Sequence, residues 1–431
     1  MHIYFSGIGG TGIGPLALVA KQAGYTVSGS DKQDSLYIEY LKTHGIADIH
    51  IGQTYEAIAA EHDKQPIDWF VYTSALPMES PDAPELKFCE EQGIHVSKRD
   101  ELLNQIITDK NLNLVAVAGT HGKSTTTAMI IWLFKQCKVP IGYNVGAKMA
   151  FGDMGEFAEG SEYFVYECDE FDRNFLAFEP SLSVISGVSW DHHDIYPTRE
   201  EYQAAFRDFI AQSRHTLLWQ EDADYLGLEP STDLTIEPSD NRHIDTITLK
   251  GRYNRLDAWL AVQTVHRITK RPLEDLLKHI DGFPGLQRRM EQIIPNLYSD
   301  YAHTVDKIRG AMSAAREMAD ETGQDLVVVY EGLHNKRQHF IMHDYKDVFD
   351  GAAQVYWVPS YLAREDPSQR IIPPAELITN LSDPTIAVPA ELDDDLKRTI
   401  QSHLTKGDMV VAMSGGGGNS LDEWLRKEFQ A

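Results

Sequence analysis

The chain has 431 residues, with 39 basic against 65 acidic side chains and a formal net charge of −26. At about 150 residues per domain, that length suggests about three domains, ample for several separate cores. The acid surplus disfavours nucleic acid and anionic membrane surfaces as partners, because both need a basic surface.

The opening "MHIYFSGIGGTGIG" has no basic segment before a long apolar core, so no signal peptide is expected. No run of about 18 apolar residues occurs, so no membrane span is expected either. Cys89, Cys137 and Cys168 are too widely spaced for a metal site or a disulfide framework. The expectation is a cytoplasmic protein. "HIYFSGIGG" reads as a short strand running into glycines, "GPLALVAKQAG" as a helix and "YTVSGSD" as a second strand. "DWFVYTSAL" and "IHVSKRDELLNQII" continue the alternation, which predicts a parallel sheet covered by helices. The polar "TDKNLN" marks a linker near residue 107.

A second alternation starts at "LVAVAG", a buried strand, with "KSTTTAMIIWLFKQC" as its helix. "EYFVYECDE" and "LSVISGVSWDH" are strands ending in polar residues, and "REEYQAAFRDFIAQS" is a helix with one apolar face. "TITLKGRYNRLDAWLAVQTVHRI" predicts a strand, a glycine turn and a helix, and "DGFPGLQRR" marks a boundary near residue 285. The last third begins with a strand, loop and helix in "LYSDYAHTVDKIRGAMSAARE". "DLVVVYEG", "AAQVYWVPS" and "GDMVVAMSGGGG" are further buried strands ending in polar or glycine residues. Ligands of open parallel sheets sit at the carboxyl ends of the strands, where most of the unusual residues here lie.

"VAVAGTHGKST" delivers Gly119 from a strand into a loop and starts a helix near Lys123. Glycines let backbone amides approach an anion, and the helix N-terminus adds unpaired N–H groups. Lys123 would span the β- and γ-phosphates of a nucleotide, and Ser124 would hold Mg²⁺. Val117 stands where the usual P-loop has its first glycine, so the loop is a shortened Gly-Thr-His-Gly-Lys-Ser. Two strand ends are acidic: Glu167, Asp169, Glu170 and Asp172 on one, Asp191, His192, His193 and Asp194 on the other. Mg²⁺ prefers one or two carboxylates with substrate phosphate and water, and Glu167 and His192 could both face the loop.

The whole set resembles the Mur ligases, ATP-dependent amide-forming enzymes of peptidoglycan synthesis. "AGTHGKSTTT", "ECDEFD", "DHHDIYP", "GRYNRLDAWLA", "RRME" and "SDYAHTVDKI" follow in that family's order. "GIGGTGIGPLALVAKQAGYTVSGSD" and the histidine of Gly-Thr-His-Gly-Lys resemble the branch acting on UDP-N-acetylmuramate. The resemblance implies an α/β chain of three domains. Residues 1–106 would be Rossmann-like and bind the UDP-sugar. Residues 107–285 would be P-loop ATPase-like, with a mostly parallel sheet that binds ATP. Residues 286–431 would be Rossmann-like again and take the amino acid.

It also implies residue roles. Gly119, Thr120, His121, Gly122, Lys123, Ser124 and Thr125 would bind ATP, and Ser124, Glu167 and His192 would hold Mg²⁺. Asn254 and Asp257 would lie near the adenine, with Arg289 and Asp300 also on the nucleotide. Gly7, Gly9, Gly10, Gly12, Asp31, Thr73 and Ser74 would form the UDP end, and Tyr301, His303 and Arg337 the amine end. Lys123 and His303 would be catalytic, His303 because its ordinary pKa lies near cellular pH. The partners implied are UDP-N-acetylmuramate and an amino acid or peptide, with no nucleic acid or membrane, for a monomer or homodimer. L-Alanine is the first expectation for the amine, and a murein tripeptide the alternative. Arg337 suits the former, whereas Glu331 and Asn335 suit the latter. The chain departs from the family at Tyr253 (usually histidine), Asp257 (usually asparagine), and Gly187 and Ser189 (commonly asparagine and glutamate).

Two other classes compete. "GIGGTG" followed by Asp31 looks like a dinucleotide fingerprint of a dehydrogenase, but the extra Gly10 and the second loop at residue 119 argue against that. A switch protein that only hydrolyses ATP would not need the "SDYAH" segment of the last third.

Overall fold

The computed structural model describes residues 1–73, 76, 80, 82–192, 195–362, 365 and 368–430. Ser74, His193 and Asp194, named above, lie outside the described residues. The chain falls into two compact units, Met1–Ile244 with Asp257–Phe283, and Asp245–Leu256 with Pro284–Ala431.

The first unit holds two sheets. Strands β1 (His2–Ser6), β2 (Thr26–Asp31), β3 (Ile49–Ile51), β4 (Trp69–Tyr72) and β5 (His95–Lys98) form a parallel sheet in the order β3-β2-β1-β4-β5. The order reverses beside β1, so the glycine turn that follows β1 sits at the switch point, where such sheets take ligands. The second sheet has β6 (Asn113–Ala118), β7 (Gly142–Asn144), β8 (Gly155–Phe157), β9 (Tyr163–Glu167), β10 (Leu182–Ile185), β11 (Thr216–Trp219) and β12 (Leu234–Glu237). Its order is β12-β11-β10-β6-β9-β7-β8, parallel except for the β7–β8 pair. Here β6 is the switch strand, flanked by β10 and β9. That topology alone brings the two acidic strand ends to either side of the phosphate loop.

β6 buries Leu114 to Ala118 without a break, as expected of a strand covered on both faces. The helix Arg199–Gln212 starts on a capping-box sequence, with Thr198 accepting from Glu201 N. It buries Tyr202, Ala205, Phe206, Phe209 and Ile210 as one stripe. The polar stretch "TDKNLN" starts as the last residues of the helix Arg99–Asp109, turns over residues 110–112 and enters β6 at Asn113.

The second unit has β13 (Glu291–Ile294), β14 (Leu297–Asp300), β15 (Leu326–Leu333), β16 (Gln354–Tyr361), β17 (Ala387–Pro389) and β18 (Met409–Ser414). Their order is β13-β14-β18-β15-β16-β17, parallel apart from β13 against β14. One expected strand is absent. "TITLK" forms a short 3-10 turn at Ile244–Thr246 and then irregular backbone, with Ile247 buried. No helix among the described residues is long and apolar enough to cross a membrane.

Candidate nucleotide and amine sites

The phosphate loop leaves β6 through Gly119 (φ +146°) and enters the helix Lys123–Gln136 through Gly122 (φ +78°), conformations that favour glycine. Space demands glycine too. A Cβ on Gly119 would stand 2.6 Å from Ser186 Oγ, and one on Gly122 2.6 Å from Asp257 Oδ1. Asp257 therefore lies beside the loop, while Asn254 falls in the second unit and donates to Lys250 O at 2.8 Å.

Lys123 Nζ donates to Gly119 O at 2.6 Å and to Glu170 Oε2 at 2.7 Å, with Asp169 Oδ1 at 4.0 Å. Burial works against its charge, but Glu170 and Asp169 outweigh it and hold the amine protonated far above its ordinary range. Burial likewise opposes the charge of Glu170, yet Lys123 and His192 keep that carboxylate well below its usual range. Ser124 Oγ donates to Glu167 Oε1 at 2.7 Å, and Gly146 N donates to Glu167 Oε2 at 2.6 Å. His192 (φ +54°) instead turns to Glu170 Oε1, at 3.4 Å. The structure thus joins Ser124 to Glu167 and His192 to Glu170, and no group of three or more metal-binding side chains occurs among the described residues. Two hard oxygens, Ser124 Oγ and Glu167, fit Mg²⁺ only as a partial set completed by phosphate and water.

The loop after β10 forms the other wall. Thr120 N donates to Gly187 O at 2.8 Å, Ser189 N to Thr120 Oγ1 at 2.9 Å, and Thr120 Oγ1 to Ser189 O at 2.7 Å. Gly187 has φ +154°, and a Cβ there would stand 2.1 Å from His121 Cε1. Thr125 is buried in the first turn of the helix.

Val188 N donates to Asp222 Oδ1 at 2.8 Å, while Asp222 Oδ2 is buried without a hydrogen bond. Burial pushes this carboxyl up to about 7, from an ordinary 3.8. The folded state keeps a proton that the unfolded chain has lost, so this group lowers stability as pH rises from about 4 to about 7. Asp222→Asn is expected to remove that slope, worth up to about 4 kcal/mol for a shift of about three units. Thermal unfolding of both proteins at about pH 5 and about pH 8 checks it; parallel slopes would contradict it.

At the other switch strand, Gly7 (φ +77°) turns the chain, and Gly7 N donates to Ser30 O at 2.8 Å. Gly9 N donates to Asp31 Oδ2 at 2.8 Å, and Gly10 N to Gly7 O at 3.0 Å. Gly12 faces Arg99, whose Nη1 would stand 2.8 Å from a Cβ there. Thr73 follows β4 at the same edge and is half-buried.

In the second unit, Asp300 ends β14 and accepts from Met290 N at 2.8 Å. Burial raises its carboxyl, and Arg289 draws it back only in part. The Arg288 and Arg289 guanidinium groups lie 4.6 and 5.1 Å from the centre of the Tyr301 ring. His303 Nδ1 is 2.9 Å from Tyr301 O, and because a carbonyl only accepts, Nδ1 carries the proton. Burial, with the charges of Lys307 and Arg337, holds the imidazole well below its ordinary pKa. The expectation of a group titrating near cellular pH is therefore corrected: His303 is a neutral imidazole with Nε2 as the acceptor. Glu331 and Asn335 are also buried, but they serve the fold. Glu331 accepts from Leu421 N at 3.1 Å, and Asn335 ties Arg370 O and Ile372 N at 3.0 and 2.8 Å.

The sequence pointed to the acidic run but not to Glu170 as the partner of Lys123. Ser186, Tyr202 and Asp222 carried no motif; Tyr202 OH lies 2.7 Å from Thr120 Oγ1.

Three family models match the chain in succession: "Mur ligase family, catalytic domain" over residues 2–111, "Mur ligase middle domain" over 117–232, and "Mur ligase, glutamate ligase domain" over 288–416. Among curated relatives, the UDP-N-acetylmuramate--L-alanine ligase of Frankia casuarinae is 26% identical, covering 96% of this chain and 95% of its own. The enzyme of the same name from Renibacterium salmoninarum is 29% identical, covering 96% and 93%. Among solved structures, the UDP-N-acetylmuramate-alanine ligase of Thermotoga maritima superposes with a TM-score of 0.73 at 21% identity, covering 100% and 98%. A murein peptide ligase of Psychrobacter arcticus gives 0.63 at 19% identity, covering 99% of each chain. At such identities these two structures speak for the fold.

Proposed function

The chain belongs to the Mur ligase family, and on that premise we propose that it joins L-alanine to the carboxyl group of UDP-N-acetylmuramate, consuming ATP. The observation that carries this reading is the phosphate loop. Its lysine and serine each face a carboxylate at 2.7 Å, Lys123 that of Glu170 in the loop after β9 and Ser124 that of Glu167 at the end of β9. In the proposed division, residues 1–106 take the UDP-sugar, 107–285 the ATP and 286–431 the amine.

The chemistry follows from charge. The sugar carboxylate must approach a γ-phosphate against repulsion, attack phosphorus and expel ADP, leaving an acyl phosphate. Lys123 and the amides at the start of its helix lower that repulsion where charge develops. Ser124 and Glu167 would hold Mg²⁺, which supplies further charge neutralisation at the phosphates when bound. The amine then attacks the acyl carbon, and phosphate leaves. Neutral His303 offers Nε2 to a proton of the incoming amine. The positive charges of Arg289, Lys307 and Arg337 around it suit the carboxylate that an amino acid carries. The names of the curated relatives support L-alanine, as does Arg337 acting on His303.

Phosphate release tests the reading. Purified protein with ATP, Mg²⁺ and UDP-N-acetylmuramate would receive L-alanine, glycine, L-serine or murein tripeptide in turn. Release with L-alanine is expected. Release with tripeptide alone would transfer the chain to the recycling activity, and release with none would reject the ligase.

His303→Gln is expected to raise KM for the amine about tenfold or more, while KM for ATP stays put. In the parent, kcat/KM for the amine should rise with pH without a step near 6.5, because the imidazole is already neutral. A step there that vanishes in the variant would contradict the assignment.

A further inference from the structure

Arg99 carries no motif, yet it stands between the two ligand loops of the first unit. It opens the helix Arg99–Asp109 at the carboxyl end of β5, and the preceding Lys98 side chain provides no cap. The amides at that helix start therefore lack a side-chain acceptor of their own at the cap position.

Three observations set the guanidinium apart. First, it lies against the glycine turn: a Cβ at position 12 would stand 2.8 Å from Arg99 Nη1. Second, its donors are poorly used. Arg99 Nη1 reaches Gly12 O only at 3.5 Å, and Nε is 3.6 Å from Asp100 Oδ1, with no other partner among the described residues. Guanidinium has five N–H donors in a planar fork matched to carboxylate and phosphate oxygens, so this is an arginine with capacity left over. Third, the charges acting on it come from the end of β9 and just beyond it, Tyr166 first, as well as from its neighbour Asp100 and from Asp169, and Asp169 lies 4.0 Å from Lys123 Nζ.

Packing alone would not place it so. A structural arginine with its side chain 30% exposed would be expected to close its fork on a carboxylate, as Arg426 does on Glu291 at 2.7 and 3.2 Å. Neighbouring Lys98 does pair in full, with Asp172 at 2.8 Å.

We propose that Arg99 is a substrate-binding residue that receives an anionic oxygen of the sugar nucleotide between the Gly7–Gly12 turn and Lys123. The proposal rests on the UDP-sugar reading above. Two groups of that substrate share the chemistry, the diphosphate and the carboxylate, and the experiment separates them.

Calorimetric binding of UDP, UDP-N-acetylglucosamine and UDP-N-acetylmuramate would be compared for the parent, Arg99→Lys and Arg99→Met. The first two ligands carry the diphosphate without the carboxylate. Arg99→Met is expected to weaken UDP-N-acetylmuramate about 10- to 100-fold, the usual loss for a charged hydrogen bond. Arg99→Lys should fall between, because it keeps the charge and loses the fork. Equal weakening of all three ligands assigns the diphosphate; weakening of UDP-N-acetylmuramate alone assigns the carboxylate. ADP affinity should hold in both variants, which a general loss of structure would not permit. If Arg99→Met does not fold, Arg99→Lys still decides, with several-fold weaker sugar-nucleotide binding expected. Parent-like affinities in the folded variants would overturn the role of Arg99 while leaving the function intact. A parent protein that fails to bind UDP-N-acetylmuramate would overturn the function reading and this proposal with it.

Discussion

Lys123→Met is expected to lower turnover by a hundredfold or more, and to lower stability as well. The rate loss follows from the amine's place on the phosphate loop. A preorganised charge aimed at the transferring phosphoryl group is worth on the order of 3 kcal/mol of barrier, about a hundredfold in rate. The stability loss follows from Glu170, whose side chain is 0% exposed and which pairs with Lys123 at 2.7 Å. Removing one partner of a buried pair strands the other, typically at about 3–5 kcal/mol. Met fills the volume but leaves the carboxylate with His192 alone. The double variant Lys123→Met with Glu170→Gln removes the stranded charge. It should recover much of the thermal midpoint and none of the rate. If the double variant regains turnover, the amine is a structural tether rather than a phosphate ligand. If the single variant keeps near-parent turnover, the loop has been misassigned.

Glu167→Gln should be nearly as damaging, through a different route. The Glu167 carboxylate accepts from Ser124 Oγ and Gly146 N, at 2.7 and 2.6 Å. Glutamine keeps the shape and one acceptor oxygen, so the loop should stay in place, but the negative charge is lost. Mg²⁺ is a hard cation that prefers carboxylate, phosphate and water. The expected result is a Mg²⁺ requirement about 10- to 100-fold higher, with part of the rate returning at saturating metal. His192→Ala should move that requirement less, since His192 turns to Glu170 rather than to Ser124. A Glu167→Gln enzyme with an unchanged Mg²⁺ titration would remove this carboxylate from the metal site.

Much of this was legible in the chain. Apolar runs followed by glycine or acid gave the alternation of strands and helices, and the Gly-Thr-His-Gly-Lys-Ser stretch gave the loop. What the sequence could not resolve was direction and depth. "ECDEFD" offers four acids, but β9 ends at Glu167 and the backbone then turns through left-handed Asp172 and Arg173. Strand alternation therefore stops informing at the residue that matters, and Glu170 reaches Lys123 from beyond the strand. His303 failed for a related reason. Its ordinary pKa is a property of the side chain alone, whereas burial and the neighbouring cations are set by residues far away in sequence. Gly187 read as a departure from the family, and its backbone stands at φ +154°, which favours glycine. Arg99 had no motif because its meaning lies in Gly12, across the sheet.

The central claim is that ATP is spent on the sugar carboxylate, not on water. UDP-N-acetylmuramate labelled with oxygen-18 in its carboxylate tests it directly, by mass spectrometry of the phosphate released during turnover with L-alanine. Attack of that carboxylate on the γ-phosphate, then loss of phosphate from the acyl carbon, carries one labelled oxygen into each phosphate. The account predicts singly labelled phosphate in step with amide product. Unlabelled phosphate would show that water attacks the nucleotide, and would contradict the acyl-phosphate ligase.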